Sequence, residues 1–205
     1  VIIALTGGTG FVGRAFIDRA LEAGHALVAL ARSTQIPREG LEWIPGDLAN
    51  RAALRELVRE ADAVVHIAGV INAPDAQGFE DGNVVGTMNL VEAARAEGVS
   101  RFVHVSSLSA REPQLSAYGA SKLKGEKVVK ASLLDWTAVR PPAIYGPRDK
   151  EMFELFRAAR WGVVPVPAEG RASVIHVDDL ARLLLALLPG GEGVSHEVFE
   201  PDDGR

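Results

Sequence analysis

Short apolar runs rich in β-branched residues alternate with segments of helical periodicity along most of the chain. The runs cover residues 1–5, 26–30, 41–44, 63–67, 102–106, 136–139 and 196–199. Strands apolar on both faces are those buried inside a parallel sheet. Helical segments begin near Phe11, Asn50, Asp81, Ala117 and Asp149, and a last one covers residues 177–188. In the first, Val12, Ala15, Phe16 and Ala20 share one face; in the last, Leu180, Leu183, Leu184 and Leu187 do the same. Asp178 and Asp179 open that last helix, where carboxylates suit the helix dipole. The alternation predicts an α/β fold, a doubly wound parallel sheet. It breaks over residues 161–171, where Gly162, Pro165, Pro167 and Gly170 cluster. A core domain over 1–146 and a small C-terminal lobe over 147–205 are therefore expected.

Composition narrows the class. With 205 residues and 47% hydrophobic side chains, the chain can bury one sizeable core. The net charge of -5, with Lys and Arg scattered, carries no footprint for nucleic acid or an anionic membrane. No cysteine is present, which removes disulfides, zinc-thiolate sites and thiol nucleophiles, and no metal site is expected. No apolar run is long enough to span a bilayer, and no signal peptide is visible, so a cytoplasmic protein is expected. Val1 already lies inside a strand-like run and residues 201–205 end no element, as expected of part of something longer.

The segment Thr6-Gly7-Gly8-Thr9-Gly10-Phe11-Val12-Gly13 follows the first strand and opens the first helix. Gly7 permits a tight turn, Gly10 admits a pyrophosphate to the backbone, and Gly13 lets helix and strand pack closely. Phosphates would rest on the helix N-terminus. Thr9, Phe11 and Val12 complete this loop. A glycine-rich turn without a ligand is the alternative, and the flanking strand and helix favour a dinucleotide. At the end of the second strand, where an acid would bind the ribose of NAD, stands Arg32, the residue type a 2′-phosphate needs. NADP(H) is therefore the expected cofactor and NAD(H) the alternative, with Ser33 and Arg38 as helpers. Asp47 either accepts a bond from an adenine amine or caps the next helix; Leu48 follows it. Ala68 and Gly69 bring small residues to the carboxyl edge of the sheet. His66 reads as a packed strand-end residue with no role.

Tyr118 and Lys122 lie four apart on a helical segment, hence on one face. A nearby ammonium favours phenolate over phenol, so Tyr118 can act as general acid or base on a carbonyl or hydroxyl oxygen. Ser107, ending the fifth strand, can hydrogen-bond the same oxygen. An exposed helix face is the bland alternative for the pair.

The glycine segment, Gly46-Asp47-Leu48, Ala68-Gly69, Asn83-Val84-Val85-Gly86-Thr87, Val105-Ser106-Ser107, Tyr118-Gly119-Ala120-Ser121-Lys122, the segment from Arg140 to Pro147, and His176-Val177-Asp178-Asp179-Leu180 stand in a telling order. That order resembles the extended short-chain dehydrogenase/reductases over nearly the whole chain. The resemblance implies a Rossmann fold and a catalytic Ser107, Tyr118 and Lys122, with Ser107 rather than Ser106 as partner of the tyrosine. Lys122 would also bind the nicotinamide ribose, Asn83 would support the site, and Pro141 and Pro142 would lie along the nicotinamide, either bond being a candidate for cis.

Only residues 108–117 separate the serine from the tyrosine, and Ala143 replaces a common asparagine. Both features turn the reading from nucleotide-sugar epimerases and dehydratases toward compact atypical members, relatives of the NADPH-binding accessory subunit of respiratory complex I. The expected activity is hydride transfer to or from a small-molecule carbonyl or alcohol. An epimerase or dehydratase would use the same residues, and a non-catalytic NADP(H)-binding sensor or structural subunit is the alternative. Met152, Phe153 and Phe156 could wall the substrate pocket, Arg148 or Arg171 could bind an anion, and the helices near Asp81 and Ala117 could pair in a homodimer.

Overall fold

The computed structural model describes residues 1–149, 151–162 and 173–204. All seven apolar runs become strands of one sheet: β1 (Ile2–Thr6), β2 (Ala26–Ala31), β3 (Leu41–Pro45), β4 (Ala63–His66), β5 (Arg101–Val105), β6 (Asp135–Val139) and, at the far edge, β9 (Glu197–Phe199). Their order is β3-β2-β1-β4-β5-β6-β9, and each neighbouring pair is parallel. The order reverses between β1 and β4, the switch point at whose carboxyl edge ligands bind in such sheets.

Helices cover both faces, which is why the central strands are mostly apolar on both sides. On one face α1 (Phe11–Glu22) packs with α7 (Val177–Ala186), burying Phe16, Ile17, Ala20, Leu180, Ala181 and Leu184 against Ile3, Leu5 and Val103. Each such aliphatic or aromatic side chain contributes about 1.5–3 kcal/mol by burial. On the other face α2 (Arg51–Val58), α4 (Gly86–Ala96) and α5 (Ala117–Ala131) enclose Leu54, Leu57, Leu90, Phe102 and Val129. Residues beyond 146 thus contribute α7 and β9 to the main sheet body, and they also form α6 (Glu151–Arg160). No described helix is long and apolar enough to cross a membrane.

Two features depart from the sequence reading. The helix expected near Asp81 starts earlier, as α3 (Ala76–Glu80), because the Asp75 side chain accepts the Gly78 N–H at 2.9 Å and caps it. It then widens into a π-helical turn over Asp81–Val85 before continuing as α4. A separate two-stranded parallel sheet joins β7 (Ala143–Tyr145) to β8 (Val174–His176), whose three-residue strands are too short to leave a periodic signal. In β3, the Trp43 indole packs against the glycine loop: a Cβ placed on Gly8 would lie 3.2 Å from its ring edge, and its buried Nε1 has no hydrogen-bond partner among the described residues.

Candidate active site

The glycine loop crosses the head of β1 at the switch point. Gly7 takes φ of +79°, and a Cβ there would lie 2.6 Å from the Ala68 amide nitrogen, so the loop rests on the segment following β4. The Gly10 N–H donates to the Gly7 carbonyl at 3.0 Å, closing the turn. At Gly13 a Cβ would sit 2.1 Å from the Gly7 oxygen, so helix α1 approaches its own loop more closely than any side chain permits. The N-cap, Gly10, makes no side-chain cap bond, and the first turn of α1 holds no acid. This cradle of backbone donors fits a pyrophosphate. Gly13→Ala is expected to cost about 2–3 kcal/mol of stability, lower Tm by roughly 5 °C or more and abolish dinucleotide binding, as thermal unfolding and calorimetric titration would show.

Helix α5 carries the expected acid–base pair on its first turns. Ser116 caps it, accepting the Gly119 N–H at 2.9 Å. Ahead of it lie two 3₁₀ turns, Leu108–Arg111 and Pro113–Leu115, against which the start of α5 packs. Tyr118 is half-buried, its ring 6.1 Å from that of Phe79. Lys122 is 4% exposed; its Nζ donates to the Val105 carbonyl at 2.8 Å and lies 3.4 Å from where a Cβ on Gly69 would stand. Burial lowers the ammonium's pKa to about 8 despite the opposing charge of Glu126. The lysine head thus sits between the end of β5 and the cofactor-side segment after β4. Ser107 is half-buried, and its Oγ accepts the Ser109 N–H at 3.2 Å, a bond that does not use the hydroxyl's own proton.

Adjacent Ser106 points the other way. Its hydroxyl donates to buried Glu126 Oε1 at 2.6 Å, and the Arg140 guanidinium clamps both Glu126 oxygens at 2.7 and 2.8 Å. Burial alone would raise the Glu126 carboxyl, but the Arg140 fork and the Ser106 hydroxyl hold it below the usual range. Glu200, just beyond β9, receives a further Arg140 bond at 3.0 Å. Helix α5 is thereby fastened to the ends of β5, β6 and β9. Pro141 is buried, and its carbonyl accepts the Leu108 N–H at 2.9 Å; the described peptide bonds, those at Pro141 and Pro142 included, are trans. Asn83, in the π turn, accepts the Val70 N–H at 2.7 Å and donates to Ser121 Oγ at 2.9 Å, joining the segment after β4 to α5. The Glu126–Arg140 clamp was not foreseen, because its partners come from separate elements.

At the adenosine end, Arg32 is exposed, with no hydrogen bond or ion pair among the described residues. Asp47 Oδ1 accepts the Ala49 and Asn50 N–H groups at 2.9 and 3.1 Å in the turn before α2, and it is the Asn50 side chain that caps the helix. Leu48 packs beside α2 with its carbonyl held by Asn89. Arg38 and Arg148 both pair with Asp18, at 2.5 and 3.1 Å, and Ser33 accepts from Gln35. Phe153 is 54% exposed. The Phe156 side chain and Arg171 lie outside the described residues. Among the described residues no cluster of three or more His, Asp or Glu could hold a metal.

The reversed strand order and glycine cradle define a Rossmann-fold protein of the NAD(P)-binding type. The chain belongs to the NAD dependent epimerase/dehydratase family, whose model matches residues 3–200. It is similar to a ceramide reductase of Caulobacter vibrioides, 43% identical over 191 residues that cover 90% of this chain and 60% of that protein. It is also similar to a 2-alkyl-3-oxoalkanoate reductase of Stenotrophomonas maltophilia, 32% identical over 96% of this chain and 69% of that protein. The solved structure of MoeE5 in complex with UDP-glucose and NAD superposes with a TM-score of 0.83 at 27% identity, over 100% of this chain and 76% of that one. This chain therefore spans only 60% of the ceramide reductase's length.

Proposed function

We propose that this chain is the dinucleotide-binding part of an NADP(H)-dependent reductase acting on a ketone of an alkyl-chain substrate. The observation that carries it is the pairing of Tyr118 with Lys122 one turn along a capped helix, the lysine head held at the Val105 carbonyl beside Gly69. The substrate class follows the two reductases above, which act by name on ceramide and a 2-alkyl-3-oxoalkanoate. The short connection of two 3₁₀ turns between Ser107 and Tyr118 favours this over the sugar-nucleotide reading that MoeE5's ligand supports.

Bound nicotinamide supplies the hydride. The residues do the rest. The glycine loop holds the pyrophosphate through backbone N–H groups. Ser107 donates its hydroxyl proton to the ketone oxygen and orients it. As negative charge grows on that oxygen, the Tyr118 O–H delivers its proton to it, and the Lys122 ammonium stabilises the phenolate left behind.

A preference for NADP(H) rests on Arg32 and on a cleft of about 200 Å³ beside the glycine loop, lined by Thr9, Arg14, Arg38 and Arg148 among others. One carboxylate, Asp18, answers two of those arginines, so the cleft keeps net positive charge for a 2′-phosphate. Calorimetric titration with NADPH and NADH tests this reading. NADPH is expected to bind more tightly, and Arg32→Ala to weaken NADPH roughly tenfold or more while leaving NADH unchanged. Equal binding of both cofactors to the wild type, insensitive to Arg32, would remove the NADP(H) preference. Turnover of UDP-sugars in place of ketones would return the site to the epimerase reading.

A further inference from the structure

We propose that His66 is a positioning residue that ties the floor of the glycine loop to the helix carrying Tyr118 through one directional hydrogen-bond chain. The proposal rests on the reading that the glycine loop holds a dinucleotide. His66 ends β4 and is 1% exposed, and sequence pattern alone makes it core packing.

Its bonds assign every proton in the chain. The Thr87 hydroxyl donates to the Asn83 carbonyl at 2.8 Å, so only its lone pair is left to face His66 Nε2 at 2.9 Å. Nε2 must therefore carry the imidazole proton. A neutral ring has one such proton, which leaves Nδ1 bare to accept the Thr6 hydroxyl at 2.6 Å. Thr6 Oγ1, its proton spent, accepts the Ala68 N–H at 3.3 Å. Burial and the neighbouring Lys122 charge keep the ring neutral, with its pKa lowered to about 3, so the imidazolium does not compete.

The two ends of this chain are the two halves of the site. At one end, Thr6 and Ala68 flank the glycine turn, where a Cβ on Gly7 would meet the Ala68 nitrogen at 2.6 Å. At the other, Asn83 sits in the π turn and grips Ser121, whose hydroxyl bonds the Tyr118 carbonyl at 2.7 Å. A π turn inside an α-helix is a common mark of a functional site. Here it brings the Asn83 carbonyl within reach of Thr87 and the Asn83 amide within reach of α5. His66 is the piece that spans from one half to the other.

Two measurements test the chain. A nitrogen-15 histidine spectrum of the wild type at neutral pH is expected to show His66 protonated on Nε2 alone; a proton on Nδ1 would overturn the proposal. Thr87→Val and His66→Leu are each expected to weaken NADPH about fivefold by calorimetry. The double variant is expected to be no weaker than His66→Leu, because both cut the same chain. A merely structural role would lower Tm and leave NADPH affinity unchanged, and that result sinks the proposal. Thr87→Val is nearly isosteric and carries the test if His66→Leu does not fold. Should the wild type bind neither NADPH nor NADH, the dinucleotide reading fails and the proposal with it, whereas a binding wild type with insensitive variants overturns His66 alone.

Discussion

Replacing Tyr118 by phenylalanine is expected to lower ketone reduction by about 10²–10⁴-fold while leaving NADPH affinity near that of the wild type. The ring remains, so its packing near Phe79 and the cap at Ser116 are preserved. What is lost is the hydroxyl, and with it the proton donor. The pyrophosphate cradle is built from backbone of the glycine loop, so binding of the dinucleotide should register the removal little. The measurement is kcat with a long-chain 3-keto substrate beside the calorimetric Kd for NADPH. Unchanged turnover would refute the proton-transfer role and shift weight to a non-catalytic, dinucleotide-sensing protein.

Glu126→Ala is expected to remove about 2–3 kcal/mol of stability, because it leaves the partly buried Arg140 guanidinium with Glu200 as its one remaining carboxylate among the described residues. The Ser106 hydroxyl loses its acceptor as well. Glu126→Gln should cost less, since an amide oxygen still accepts one bond. The sign of the pH dependence follows from the carboxyl's depressed pKa. Unfolded, Glu126 takes up a proton near its ordinary value of 4.5; folded, it holds out to lower pH. Its contribution is therefore full at neutral pH and is lost as acid is added below about 4.5. Urea unfolding from pH 7 to pH 3 should show the wild type losing stability across that range more steeply than Glu126→Ala. Parallel profiles would mean that the clamp contributes nothing beyond packing.

Much of the main sheet was legible because its strands are buried on both faces, and residues such as Val64, Val65, Phe102 and Val103 leave an unbroken apolar signal. The glycine segment was legible for a different reason: Gly7 and Gly13 occupy positions no other residue can take, so spacing alone exposes the turn. The π turn was not legible, since side-chain periodicity does not encode which carbonyl a backbone N–H selects. Nor was the direction of adjacent serines in physical detail: Ser106 meets Glu126 because strand alternation turns it toward α5, and Ser107 faces away only by contrast. Long-range polar pairs, such as Asp18 with Arg38 and Arg148, join residues whose local sequence is that of ordinary exposed charge. Asp47 illustrates another limit, for the residue that caps α2 is Asn50, while Asp47 Oδ1 closes the turn just before it.

The indole of Trp43 lies against Gly8, whereas Trp161 is 84% exposed and Trp136 lies in the other core, 8% exposed. A single aromatic emitter is thus built into the wall of the dinucleotide cradle. Its emission overlaps the absorption band of reduced nicotinamide, so energy transfer from Trp43 should make the protein its own optical gauge of cofactor occupancy, with no label attached.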